Sequence, residues 1–106
     1  MATTKRTPPI TKKIKVGNKA YSVEIVETMR RKAEMGRVFY GDKKIELATH
    51  SNTCGRRFDP DEINVTFWHE LVHAILYEMG SPLFHNERFV TQFANRLSEA
   101  IRTAKF

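Results

Sequence analysis

Two histidines four residues apart, with a glutamate directly after the first, stand in the segment TFWHELVHAILYEMG, Thr66 to Gly80. On a helix that advances about 100° per residue, His69 and His73 lie about 40° apart, one turn above the other, and Glu70 lies about 60° beyond His73. Two imidazoles so placed reach one Zn²⁺ at about 2.0 to 2.1 Å, which leaves the glutamate beside the metal rather than on it. From there Glu70 can take a proton from a zinc-activated water and deliver it to a leaving amine. In a chain with four His and nine Glu among 106 residues, the pattern arises by chance with odds on the order of one per cent. The competing reading is a pair of partly buried histidines in ordinary helix packing.

A two-histidine zinc site needs a third protein ligand and an open fourth position for water. Downstream of His73 the candidates are His85 and Glu87. Glu87 follows His73 by 14 residues, enough for the chain to reverse, and its alternative role is a first-turn glutamate that complements a helix dipole. His85 is either the ligand itself or, with Tyr77 as the other candidate, a donor to the oxyanion of a tetrahedral intermediate. Spacing alone does not choose between them.

The elements that must carry these residues have their own signals. Asp59 can cap a helix, Pro60 suits its first turn, and Glu62 completes a capping-box pattern. Gly80 suits the left-handed position after the helix, with Pro82 just beyond. Val65, Trp68, Leu71, Val72, Ile75, Leu76 and Met79 form the broad apolar arc opposite the histidines. Phe67 and Trp68 are expected in the core or at its rim rather than in a specificity pocket. A second helix is expected from an Asn86 cap toward Arg102, through Phe89, Val90, Phe93, Ala94, Leu97 and Ile101 at helical spacing.

Upstream, ITKKIKV and AYSVEIVE flank GNK and alternate apolar with polar residues, as the strands of a hairpin do. RVFY, GDK and KIELAT repeat the arrangement. Between them Thr28–Met35 reads as a short helical turn or a loop, and His50–Phe58 as a connecting loop that holds the single cysteine, Cys54. The expected fold class is α+β: an antiparallel sheet of two hairpins packed against the HExxH helix and a C-terminal helix. Residues 1–9 are expected to be a flexible basic leader and 10–106 a single domain.

A resemblance extends this reading. HELVHAILYEMG followed by NERFVTQFANRL resembles the gluzincin metallopeptidases, and more narrowly the small phage and prophage zincin-like proteins related to the ImmA/IrrE group. The second motif reads here as Glu87, Val90, Phe93 and Ala94. The resemblance implies His69, His73 and Glu87 as zinc ligands and Glu70 as catalytic general base and acid. It assigns no Tyr or His to the transition state. It implies that the α+β fold is a minimal zincin-like domain, and it covers about residues 10 to 103, with only the two helix motifs specific. The peptide is then expected on the free edge of the KIELAT strand, by β-augmentation.

Composition narrows the function classes. Hydrophobic content of 41% with seven Phe, three Tyr and one Trp fills one core, and 28% charged residues suit a folded, non-membrane domain. No run approaches the roughly 18 continuous apolar residues of a membrane span, no apolar stretch precedes a small-residue cleavage site, and a lone cysteine suits a reducing compartment, so a cytoplasmic location is expected. The net charge of +6 resides in residues 1–19, where Lys5, Arg6, Lys12, Lys13, Lys15 and Lys19 face no acid; the remaining 12 Lys/Arg match the 12 Asp/Glu. The leading expectation is a zinc endopeptidase acting on a peptide or protein substrate, such as a repressor or other regulatory protein of a phage-infected or lysogenic bacterium. A zinc-binding interaction module is the second, and nucleic-acid contact through the basic N-terminal segment the third.

Overall fold

The computed structural model describes residues 10–105; the expected leader, with Lys5 and Arg6, lies outside the described residues. Four strands, β1 (Lys13–Val16), β2 (Lys19–Val26), β3 (Gly36–Phe39) and β4 (Lys44–Ala48), precede two helices, α1 (Pro60–Glu78) and α2 (Glu87–Thr103), which a 3-10 turn at Pro82–His85 joins. The class is α+β, as expected.

Both hairpins form. β1 pairs antiparallel with β2 across a turn in which Gly17 takes φ +64°, and β3 pairs antiparallel with β4. The sheet they build is mixed rather than antiparallel, in the order β1-β2-β4-β3, because β2 and β4 run parallel with Val23 opposite Ile45 and Ile25 opposite Leu47. The physical reason lies in β4. Ile45 and Leu47 are wholly buried and Ala48 nearly so, and the strand that buries most takes a central place with partners on both sides. Residues 27–35 are long enough to carry the chain past that place to the far edge, so that it returns as β4. Consequently β4 has no free edge to offer a peptide. The sheet's edge strands are β1 and β3, and of the two β3 lies more closely against α1.

One face of the sheet meets α1. Tyr21, Val23, Val38, Ile45 and Leu47 pack with Phe67, Leu71 and Ala74, which recur on α1 at helical spacing. The opposite side of α1 meets α2 through Val72, Val90 and Ala94, with Trp68, Leu76 and Leu97 beside them. α1 is thus sandwiched, and the single apolar arc expected for it is redistributed: Phe67 and Ala74 join Leu71 and Val72 inside, while Val65, Ile75 and Met79 are left exposed in part or in full. A third cluster, Met29, Ala48 and Phe58, pins the segments on either side of β3 and β4.

Local chemistry fixes the ends. The Glu62 side chain accepts from the Asp59 backbone N–H at 2.8 Å, closing the first turn of α1. Gly80, at φ +72°, lets the chain turn out of α1 so that the Ser81 N–H returns to the Leu76 carbonyl. Asn86 caps α2 by accepting from the Phe89 N–H at 3.0 Å, which sets Glu87 at the start of that helix. Gly36 has a different role. A Cβ there would stand 2.7 Å from the Thr66 methyl and 3.0 Å from the Glu46 carbonyl oxygen, so only glycine lets β3 lie this close to α1.

Candidate metal centre

His69 and His73 point from the middle of α1 across to the first residue of α2. His69 Nε2 is 3.0 Å from one carboxylate oxygen of Glu87 and His73 Nε2 is 3.0 Å from the other. One donor atom from each of the three residues falls within 4.8 Å of the other two. His85 is not in this group. It lines the adjoining cleft, its ring edge-on to Phe84 at 4.8 Å, because the 3-10 turn directs residues 82–85 along the cleft before Asn86 starts α2. The fourth histidine, His50, bonds Thr49 in the β4–α1 connection, where His50 and Arg57 form a β-bridge.

The donor set fits a cation. His73 Nδ1 lies 2.5 Å from the Phe84 carbonyl oxygen. A carbonyl only accepts, so Nδ1 donates to it and Nε2 is the ring atom left to face the carboxylate oxygen. A ring nitrogen and a carboxylate oxygen at 3.0 Å need a positive centre between them, and a proton on Nε2 serves as well as a metal ion. His69 is kept from charging itself: burial, and then the neighbouring His73, pull its pKa below the usual histidine value against the pull of Glu87. Bonds of about 2.0 to 2.1 Å in a tetrahedral zinc site separate neighbouring donors by about 3.3 Å; here each imidazole stands 3.0 Å from a different oxygen of Glu87, and one donor from each residue lies within 4.8 Å of the others, so the set would have to draw in to hold such an ion. The Phe84 carbonyl behind His73 stands where an outer partner would orient a metal-binding imidazole.

Glu70 is not in this group but lines the cavities on both sides of it, with His73 and Glu87 in one and His69 in the other, and is 9% exposed. Its pKa is pushed up to about 8, first by burial, then by the negative charges of Glu87 and Glu34, with Arg37 opposing. A cation held by His69, His73 and Glu87 offsets the charge repulsion and favours the ionised form, which a proton acceptor needs.

The cleft beside the centre, about 330 Å³, runs between the free edge of β3 and the 3-10 turn and is floored by Glu70 and His73. Its aromatic wall differs from expectation. Tyr77 stacks on Tyr40 at 4.4 Å between ring centres and meets Lys43 on its ring; Tyr40, one ring nearer, is the tyrosine that lines the cleft. Burial and the carboxylates of Glu70 and Glu87 push the Tyr40 hydroxyl up to about 12, so it stays a donor throughout the neutral range. Sequence reasoning missed Tyr40 because its signal, a residue ending RVFY at a hairpin turn, acquires meaning only once β3 is known to be the edge against α1. Phe67 is buried and Trp68 half-buried between the helices, its Nε1–H donating to Asn64.

No helix among the described residues is long and apolar enough to cross a membrane. No protein-family model, curated protein or solved structure matches the chain.

Proposed function

We propose that the protein is a zinc-dependent endopeptidase of minimal zincin type, with His69, His73 and Glu87 holding the metal. The observation that carries the reading is the convergence of two Nε2 atoms on the two oxygens of one carboxylate, with a buried glutamate and an open cleft beside them. Zinc, when bound, supplies Lewis acidity toward a peptide carbonyl and toward water. Everything else falls to the chain. The unpaired edge of β3 takes an extended peptide as an added strand. Glu70 accepts the proton of the attacking water and returns it to the departing amine. The Tyr40 hydroxyl, held protonated, donates to the oxygen that becomes negative, with His85 as a second donor on the same cleft. The resemblance to the ImmA/IrrE-related proteins adds a regulatory protein in phage biology as the substrate.

A metal-stabilised interaction module is the second reading. It draws support from the parallel-stacked Phe89 and Phe93 on the outer face of α2, 36% and 49% exposed. A zinc-loaded sample challenged with a mixed peptide library separates the two. The peptidase reading expects cleavage by the wild type, loss of cleavage with retained zinc in Glu70→Gln, and loss of stoichiometric zinc in Glu87→Ala. Undiminished cleavage by Glu70→Gln overturns the mechanism, and zinc binding without any cleavage leaves the module.

A further inference from the structure

Two cavities meet at Glu70 and Gly36, and they differ in chemistry. The first, beside His73, holds Arg31, Arg37 and Tyr40. The second, about 320 Å³ beside His69, is lined by Ala33, Met35, Val65, Thr66, Thr91 and Asn95, with Glu70 at the end it shares with the first and no Lys, Arg or Asp. They lie in sequence beside each other, because the chain advances from Gly36 along β3 and on to Tyr40 as α1 advances from Thr66 to His73. A peptide extended along β3 with its reacting carbonyl at the metal group therefore places neighbouring residues in opposite lobes.

The lobes ask for different side chains. In the first, the Arg37 guanidinium is engaged by Glu34 at 3.0 and 3.3 Å, and Glu87 belongs to the metal group. Arg31, in the segment between β2 and β3, makes no ion pair among the described residues and lies at the rim between this cleft and a neighbouring pocket lined by Glu34, Asp42 and Glu46. A guanidinium with open donors beside a bound cation selects a carboxylate. In the second lobe the wall away from Glu70 offers methyl, thioether and hydroxyl groups, and Glu70 itself is taken up by the reaction, so an aliphatic side chain is preferred.

Resting on the peptidase reading, we infer that the cleft selects peptides with an acidic side chain on one side of the cleaved bond and an aliphatic one on the other, and that Arg31 determines the acidic preference. The test is digestion of an acetylated random peptide library by the zinc-loaded protein, with mass-spectrometric sequencing of the products. The expected profile enriches Asp and Glu over Asn and Gln about three- to tenfold at one position, as an exposed charge-assisted pair allows, with aliphatic residues at a position across the bond. Arg31→Glu, an exposed site, converts the acidic position to Lys and Arg and leaves the aliphatic one; Val65→Asp, at another partly exposed site, does the reverse. Without turnover, zinc-loaded Glu70→Gln binds an Asp-containing peptide more tightly than its Asn counterpart by the same factor in fluorescence anisotropy, and added Arg31→Glu reverses the order. Cleavage with no charge selection, or an Arg31→Glu profile equal to the wild type, overturns this inference and leaves the peptidase standing. Absence of any wild-type product overturns the peptidase reading, and the inference with it.

Discussion

The buried glutamate beside the histidines makes the metal-free protein sensitive to alkali, and the size of the effect follows from its surroundings. In the folded chain Glu70 keeps its proton up to about pH 8, whereas its ordinary value is 4.5. Between those values the folded state binds more protons than the unfolded state, so stability falls as pH rises. A full proton of difference is worth about 1.4 kcal/mol for each pH unit, which over this span gives an upper bound of about 5 kcal/mol. Water reaching the carboxyl from the cleft lowers that bound to about 2 to 4 kcal/mol. Glu70→Gln keeps the shape of the side chain and has no proton to lose. Urea denaturation of both proteins in chelator from pH 4.5 to 9 should show Gln gaining on Glu progressively, with the difference saturating above pH 8. Saturating zinc should shrink the difference, since the cation stabilises the carboxylate. Parallel stability curves within about 0.5 kcal/mol across the range would refute the claim that burial and Glu87 govern this carboxyl.

Three further outcomes are expected. Gly36→Ala drives a methyl into Thr66 and the Glu46 carbonyl, so it should cost about 1 to 3 kcal/mol in chemical denaturation and lower peptide cleavage by shifting the edge strand. Tyr40→Phe should leave zinc affinity unchanged and reduce kcat about a hundredfold, whereas Tyr77→Phe should change kcat far less; equal effects would remove Tyr40 from the reaction. Glu78 accepts from Lys43 at 2.7 Å and from the Tyr21 hydroxyl at 2.6 Å, which hold its carboxyl below the usual range. Its contribution is present above pH 4.5 and lost as pH falls through the lowered value, so Glu78→Gln should flatten the acid limb of the stability profile.

Features set by neighbours in sequence were readable from the chain alone. The Glu62 capping contact, the Gly80 turn, the Asn86 cap and both hairpins rest on residues a few positions apart, where side-chain chemistry decides backbone conformation. The two histidines were readable for the same reason, since a helix sets their relation. Features set by neighbours in space were not. Alternation in KIELAT fixed which side chains face the core but not that β2 would lie parallel beside it. The choice between Glu87 and His85 depended on a 3-10 turn four residues long, too short for periodicity to register. Tyr40 and Arg31 became notable only when the long β2–β3 connection brought an edge strand against α1.

His73 is gripped from two directions by one short connection: its Nδ1 by the Phe84 carbonyl and its Nε2 by Glu87, three residues apart along the chain. The joint between the helices therefore works as a ruler. One residue inserted between Phe84 and Glu87 would lengthen this extended joint by up to about 3.5 Å and carry the carboxylate off both imidazoles, while all three residues remained in the sequence. The length of this connection is as much a part of the cluster as the identity of its residues, and a chain that kept HELVH and a later glutamate with a different count between them would spell the motif without bringing the three side chains together.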